Sequence, residues 1–228
     1  MLHITAHSGC DGTPDNSLEF VRHALSTGAD ALEVDVRKTE DGSLAISHDP
    51  IPSGSDRPLL SEVFALIADS NMRINCDLKE PDLENAVIDL AETQGLSQRL
   101  IFSGSVSLPL VQSHPDIHSR VEIYINIEEL IPDLYDRIRK CDSFSEADVP
   151  PELIAETVEG CRAYGFRVVN VYYELCTPAF LKGMRDAGIG VSAWTVNDPE
   201  TARRLAQSGS IENITSRRPG AVRQALEA

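Results

Sequence analysis

Short apolar runs alternate with amphipathic stretches from one end of this chain to the other, and that alternation restricts its fold more than any other feature. The apolar runs read as strands centred near His3, Leu32, Ile74, Leu100, Val121, Val168, Val191 and Ile211. The stretches between them carry helical spacing, expected over residues 16–26, 83–93, 108–112, 128–140, 151–164, 178–187, 199–207 and 220–226, with a looser segment at 142–150. A further helix runs to Ala68 with Ser61 as its N-cap. Eight strand–helix units with no low-complexity linker predict an α/β fold, one (β/α)8 barrel forming a single domain over residues 1–228. The alternative is a doubly wound open sheet, which usually shows a Gly-rich dinucleotide loop after its first strand, and that loop is absent.

The second strand has two different faces. Leu32, Val34 and Val36 alternate with Glu33 and Asp35, so one face suits packing beneath helices and the other aims two carboxylates the same way. Like charges so placed repel unless a cation or a proton lies between them. The competing reading is a solvated edge strand whose acidic face looks into water. A turn at Thr39-Glu40-Asp41-Gly42 then sends the chain back through residues 44–48, ending in His48-Asp49.

Composition narrows the partners. Asp plus Glu outnumber Lys plus Arg by 36 to 20, a net charge of −16. Nucleic acid and anionic membranes are recognised by basic patches, so neither is expected, and an anionic substrate would need a local cation to enter. Five widely spaced cysteines without a C-x-x-C pair fit a reducing compartment and argue against a zinc site. No run of about 18 apolar residues predicts a membrane span, and the first residues show no secretory pattern, so the expected location is cytoplasmic.

In a (β/α)8 barrel the chemistry sits at the carboxy-terminal ends of the strands. His7 ends the first strand, Glu33 and Asp35 lie near the end of the second, and His48 and Asp49 end its hairpin extension. Asp77 and Lys79 end the third strand and Trp194 the seventh. Each has a bland alternative: a backbone-bonded histidine, an Asp-Pro turn, an internal ion pair, a packed tryptophan. The barrel, however, brings all of them to one end.

Ala6-His7-Ser8-Gly9, Pro14-Asp15-Asn16-Ser17, Gly28-Ala29-Asp30 through Glu33-Val34-Asp35-Val36, Thr39-Glu40-Asp41-Gly42 and His48-Asp49 together resemble the glycerophosphodiester phosphodiesterase family. Its pattern runs A-H-R-G, P-E-N-T, G-A-D-x-(I/L)-E-x-D-V, T-x-D-G, H-D. Cys76-Asp77-Leu78-Lys79 is similar to its I-E-x-K segment, residues 192–198 to its W-T-V-N-D, and residues 214–219 to its closing I-T-D-x-P. The resemblance implies a metal-dependent phosphodiester hydrolase that releases glycerol 3-phosphate and an alcohol. It implies Glu33, Asp35 and Asp77 as ligands of Mg²⁺ or Ca²⁺, His7 and His48 as the acid–base pair, and Lys79 as a phosphate contact. Trp194 is expected to wall the substrate site. The chain departs from the pattern at Ser8, where the family has arginine, and at Asp15, Asp77 and Ser216, and its segment between His48 and Pro58 is short. Arg37, Lys38 and Arg57 are candidates for the missing cation, with no basis in sequence to choose among them. The missing arginine motivates an alternative, a weakened relative that binds a phosphodiester or polyol phosphate without efficient turnover. A third reading, prompted by the Asp-Leu-Lys spelling, is a sphingomyelinase D-like phospholipase.

Overall fold

The structure, a computed structural model, describes residues 2–139 and 149–227. Its centre is a closed parallel barrel. The barrel strands are β1 (His3–Ala6), β2 (Ala31–Lys38), β4 (Arg73–Leu78), β5 (Leu100–Gly104), β6 (Glu122–Asn126), β7 (Val168–Tyr172), β8 (Gly190–Trp194) and β9 (Ile211–Ser216). They run in the order β1-β9-β8-β7-β6-β5-β4-β2, and pairing of Thr5 with Ala31 and Ala6 with Leu32 closes the ring. The remaining strand, β3 (Leu44–Ile46), lies outside the ring, antiparallel to β2 through the expected turn.

The alternation read in the sequence is an alternation of faces. Leu32, Val34 and Val36 are fully buried in the layer between barrel and helices, together with Ile4, Ile74, Cys76, Phe102, Val169 and Val191. Glu33 and Asp35 point to the barrel axis and are each only 6% exposed, and β2 is flanked by β1 and β4, so the solvated edge strand is ruled out. Along the axis the residues change character. At the bottom Ala31, Ile101, Tyr124 and Val168 form a small apolar plug. Above it lies a layer of amides and hydroxyls. Asn75 Nδ2 donates to Ser103 Oγ at 2.9 Å and Asn170 Nδ2 to Asn126 Oδ1 at 2.8 Å. Asn213 accepts from Thr5 Oγ1 at 2.8 Å and donates to Ser192 Oγ at 3.0 Å. Buried polar groups must be paired, and here they pair with one another across neighbouring strands.

The helices follow the expected spacing with three differences. The helix after β3 (Leu60–Ile67) is not capped by Ser61: its cap is Leu59, two residues earlier, and the Leu59 N–H donates to Glu62 Oε2 at 2.8 Å. Leu59 has no side-chain acceptor to return the bond, so only half of a capping box forms. The continuous pattern over 128–140 splits into two short helices, Ile127–Leu130 and Leu134–Arg139, because Pro132 lacks the N–H that would carry the first helix on. A short helix at Ile117–Arg120 precedes β6 unannounced by any periodicity. Lys140 and most of the looser segment 142–150 lie outside the described residues. No helix among the described residues is long and apolar enough to cross a membrane.

Candidate active site

A cleft of about 420 Å³ opens at the carboxy-terminal ends of the barrel strands. His7, His48, Glu33, Asp35, Asp77, Lys79 and Trp194 all line it, so the expected acid–base pair, ion ligands, phosphate contact and wall converge there. A larger hollow of about 720 Å³ lies at the opposite end, among Arg73, Leu100, Val121 and Gly188. It holds none of these residues, and the chemistry of such barrels belongs to the other face.

The register of β2 on β4 sets Asp35 beside Asp77. One carboxylate oxygen from each of Glu33, Asp35 and Asp77 lies within 4.8 Å of the others. Each carboxylate is also held by a hydrogen-bond donor. Glu33 Oε2 accepts the Ser8 N–H at 3.0 Å, and Asp77 Oδ1 accepts Ser103 Oγ at 2.7 Å. Asn16 Nδ2 donates to Asp35 Oδ2 at 2.6 Å, while Asn16 Oδ1 accepts the Asp35 N–H at 3.0 Å. Asn16 makes this double grip from a left-handed backbone (φ 49°), which asparagine tolerates better than most residues. Burial, and then the charges of Asp35 and Asp77, push Glu33 well above the usual carboxylate range.

Lys79 Nζ lies 2.8 Å from Asp35 Oδ1 and also bonds Asp77. Burial alone would lower its pKa, but the two carboxylates outweigh burial and hold the ammonium above its usual range. The internal ion pair and the cleft position are thus both real. Crowded, outwardly oriented carboxylates are what a hard divalent cation takes as ligands. A second observation fits that reading: the buried Asn75 Oδ1, in the same cleft and one β4 side chain below Asp77, has no hydrogen-bond partner among the described residues.

The two histidines sit in different surroundings. His7 follows β1, where its N–H donates to the Ser216 carbonyl at 2.8 Å. Its Nδ1 lies 3.1 Å from the Ser8 carbonyl, which only accepts, so Nδ1 carries the proton and Nε2 a lone pair. Burial, the largest influence, lowers its pKa; the Ser8 bond opposes that and Arg217 adds to it. His48, on the loop after β3, is largely exposed, with Nδ1 3.1 Å from Asp49 Oδ1. That carboxylate likewise fixes Nδ1 as the donor.

Trp194 packs edge-on against Tyr172 at 5.7 Å, and its buried Nε1 has no hydrogen-bond partner among the described residues. The Trp194–Thr195 peptide is cis.

None of the three cations proposed from sequence lines the cleft. Arg37 donates from Nε to the His48 carbonyl at 2.9 Å and from Nη1 to Glu80 at 3.1 Å, bracing the His48 loop from outside. Lys38 is exposed near the end of β2, and Arg57 belongs to a hollow formed by the loops around β3. The cation that does line the cleft beside Lys79 is Arg217, in the turn after β9. Its position directly after the eighth barrel strand was the available signal. Asn16, Asn75 and Ser103 were missed as well, being ordinary polar residues until the barrel aims them inward.

The model of the glycerophosphoryl diester phosphodiesterase family matches residues 7–53, the stretch that carries His7, Glu33, Asp35 and His48. A glycerophosphodiester phosphodiesterase of Caldanaerobacter subterraneus subsp. tengcongensis is 23% identical over 90% of this chain and 98% of its own. A glycerophosphodiester phosphodiesterase structure from Parabacteroides distasonis superposes with a TM-score of 0.74 at 17% identity, over 99% of this chain and 97% of that one. An Oleispira antarctica phosphodiesterase, solved in complex with the product sn-glycerol-3-phosphate, superposes with a TM-score of 0.72 at 20% identity, covering 99% and 97%. The resemblance drawn from the motifs and the barrel expected from the strand–helix pattern are both borne out.

Proposed function

We propose that this chain, a relative of the glycerophosphodiester phosphodiesterases and with them of the phosphoric diester hydrolases, is a metal-dependent enzyme that cleaves glycerophosphodiesters to glycerol 3-phosphate and an alcohol. The observation that carries the reading is the convergence in one cleft of three oriented carboxylates and two histidines, with a buried asparagine oxygen left over. The sn-glycerol-3-phosphate product in the structure of the Oleispira phosphodiesterase supports this substrate class.

Glu33, Asp35 and Asp77 would hold Mg²⁺ or Ca²⁺, which supplies positive charge to phosphoryl oxygens. His7, kept neutral by burial with Nε2 free, takes the proton of the attacking hydroxyl, whether of water or of the substrate's own glycerol. His48, with Nδ1–H held by Asp49, gives a proton from Nε2 to the departing alcohol oxygen as its bond to phosphorus breaks. When water opens any cyclic phosphate, the two exchange roles. Lys79 bonds Asp35 and Asp77 and adds positive charge beside the phosphate. Trp194 offers an apolar wall to the glycerol or its substituent. Among the described residues four cysteines are buried and unpaired, which suits a reducing compartment and supports a cytoplasmic enzyme.

The test is release of alcohol from glycerophosphocholine, glycerophosphoethanolamine and glycerophosphoglycerol by the purified protein with Mg²⁺ or with Ca²⁺. Turnover with at least one is expected, and His7→Ala and His48→Ala should each lower kcat by about 10²–10⁴-fold while metal binding stays near normal. No release from any of the three with either ion, under conditions where a relative is active, overturns the reading.

A further inference from the structure

We infer that Arg217 is the phosphate-gripping cation of this site, delivered from the last barrel strand to the place where the family's pattern has an arginine after the first histidine. The inference rests on the function proposed above and identifies how its substrate is held. Ser8, which stands at the family's arginine position, is 1% exposed, and its Oγ is occupied by the Asn16 N–H at 2.7 Å. It has no charge to offer. The guanidinium of Arg217 arrives beside it from the opposite side of the β1–β9 seam. A Cβ added to Gly9, the residue after Ser8, would fall 3.0 Å from Arg217 Nη1 and 1.8 Å from Asp15 Oδ1. Glycine is required there for that reason as well as for its φ of +74°.

Asp15 holds the guanidinium in place. Nη1 donates to Asp15 Oδ1 at 2.8 Å and Nη2 to Oδ2 at 3.1 Å, a bidentate clamp. The backbone of the turn is pinned too, the Arg217 N–H donating to Asn197 Oδ1 at 2.8 Å. This clamp uses only the Nη1–Nη2 edge of the group. The other two-donor edge, Nε–Nη2, meets no acceptor among the described residues, and a planar fork of that kind matches two oxygens of a phosphate. Arg217 is not sealed in: its side chain is 40% exposed and that of Asp15 is 55% exposed, both in the cleft wall. Lys79, the other cation of the cleft, is spoken for by Asp35 and Asp77. The Asp15 hydrogen bond raises the Arg217 pKa most, burial opposes it, and the charges of Glu33 and Asp35 add to the rise, so the guanidinium is within electrostatic reach of the proposed ion site. The shortening of glutamate to Asp15 and the exchange of arginine for Ser8 then read as one linked change, with the cation supplied from another strand and clamped by Asp15.

The experiment measures binding of sn-glycerol 3-phosphate, and of uncharged glycerol as a control, to wild-type protein and variants by calorimetry in the presence of Mg²⁺ or Ca²⁺. Hydrolysis of glycerophosphocholine, glycerophosphoethanolamine and glycerophosphoglycerol is followed in parallel. Arg217→Ala is expected to weaken glycerol 3-phosphate binding by about 10- to 100-fold, the range for charge-assisted hydrogen bonds, and to raise KM more than it lowers kcat. Arg217→Lys, which keeps the charge but not the fork, should fall between. Arg218→Ala removes the neighbouring, exposed charge outside the cleft and should change binding less than about twofold, as expected of a screened surface charge. Asp15→Asn separates phosphate contact from structural latch: it breaks the ion pair but leaves the cation, so it should lose less affinity than Arg217→Ala. Equal losses in Asp15→Asn and Arg217→Ala, accompanied by equal losses of melting temperature, would make Arg217 a latch and overturn the inference. Unchanged affinity in Arg217→Ala, with wild type active, overturns it alone. Absence of both glycerol 3-phosphate binding and hydrolysis in wild type overturns it together with the proposed function.

Discussion

His7 shows how one contact can assign a chemical role. Because its Nδ1 faces a carbonyl 3.1 Å away, the neutral ring must present a lone pair at Nε2, and burial favours that neutral form. His48 has the same tautomer but stands in solvent, with Nδ1 against the Asp49 carboxylate and Nε2 left to face the cleft. A pH dependence follows. A base must be unprotonated to act, and burial lowers the pH at which His7 takes up its proton. The acidic limb of kcat/KM should therefore lie below about 6.5, the ordinary value for imidazole, and activity should persist into mildly acidic solution. Rate–pH profiles of wild type and His7→Ala with one glycerophosphodiester would check this. A limb above that value, or one that survives unchanged in His7→Ala, would assign the titration to another group.

At the level of elements, the strands do two jobs on two faces, and only one was plain in the sequence. The helix-facing residues announce themselves because burial against helices demands apolar side chains at every second position, as in Leu32, Val34 and Val36. The axis-facing residues were legible where their chemistry is loud, at Glu33, Asp35, Asp77 and the flanking histidines. Where their chemistry is quiet they were not: Asn75, Ser103, Asn126, Asn170, Ser192 and Asn213 occupy the same alternate positions but look like ordinary strand polarity until the ring closes. Arg217 escaped for a different reason, since no local pattern says which way a turn residue points. Asn213 shows what the quiet layer contributes. It accepts from Thr5 of β1 and donates to Ser192 of β8 and to Thr215 of its own strand at 3.2 Å, tying β9 to both neighbours. Asn213→Ala strands Thr5 Oγ1 without its acceptor in a buried site, which costs about 1–3 kcal/mol. Thermal or urea unfolding should show that loss. A change below about 0.5 kcal/mol, the usual size for a surface substitution, would mean that the layer is filler.

On the scale of the whole molecule the charge balance becomes a functional constraint. On the proposed function a chain of net charge −16 must attract an anionic phosphodiester, while the described cleft wall itself carries Asp15, Glu33, Asp35 and Asp77 against Lys79 and Arg217. A bound divalent cation would turn that wall from net negative to neutral, and so would serve folding and substrate capture together. Since the ligand set comes from two adjacent barrel strands, the unfolded chain has no equivalent site, and binding must appear as stability. At a free Mg²⁺ or Ca²⁺ concentration of about 100 times Kd the gain is about 2.7 kcal/mol, which for a domain of this size is a rise in Tm of roughly 5–10 °C. The rise should track the logarithm of metal concentration and vanish with excess chelator. Asp35→Asn should abolish it while leaving a folded barrel, because the amide keeps the shape of the side chain and relieves repulsion with Glu33 and Asp77. Differential scanning calorimetry across a metal series separates this from nonspecific screening, since monovalent salt at matched ionic strength would raise Tm equally in wild type and Asp35→Asn. An identical response to metal in the two proteins would remove the ion from this site, and with it the source of charge on which the acidic cleft depends.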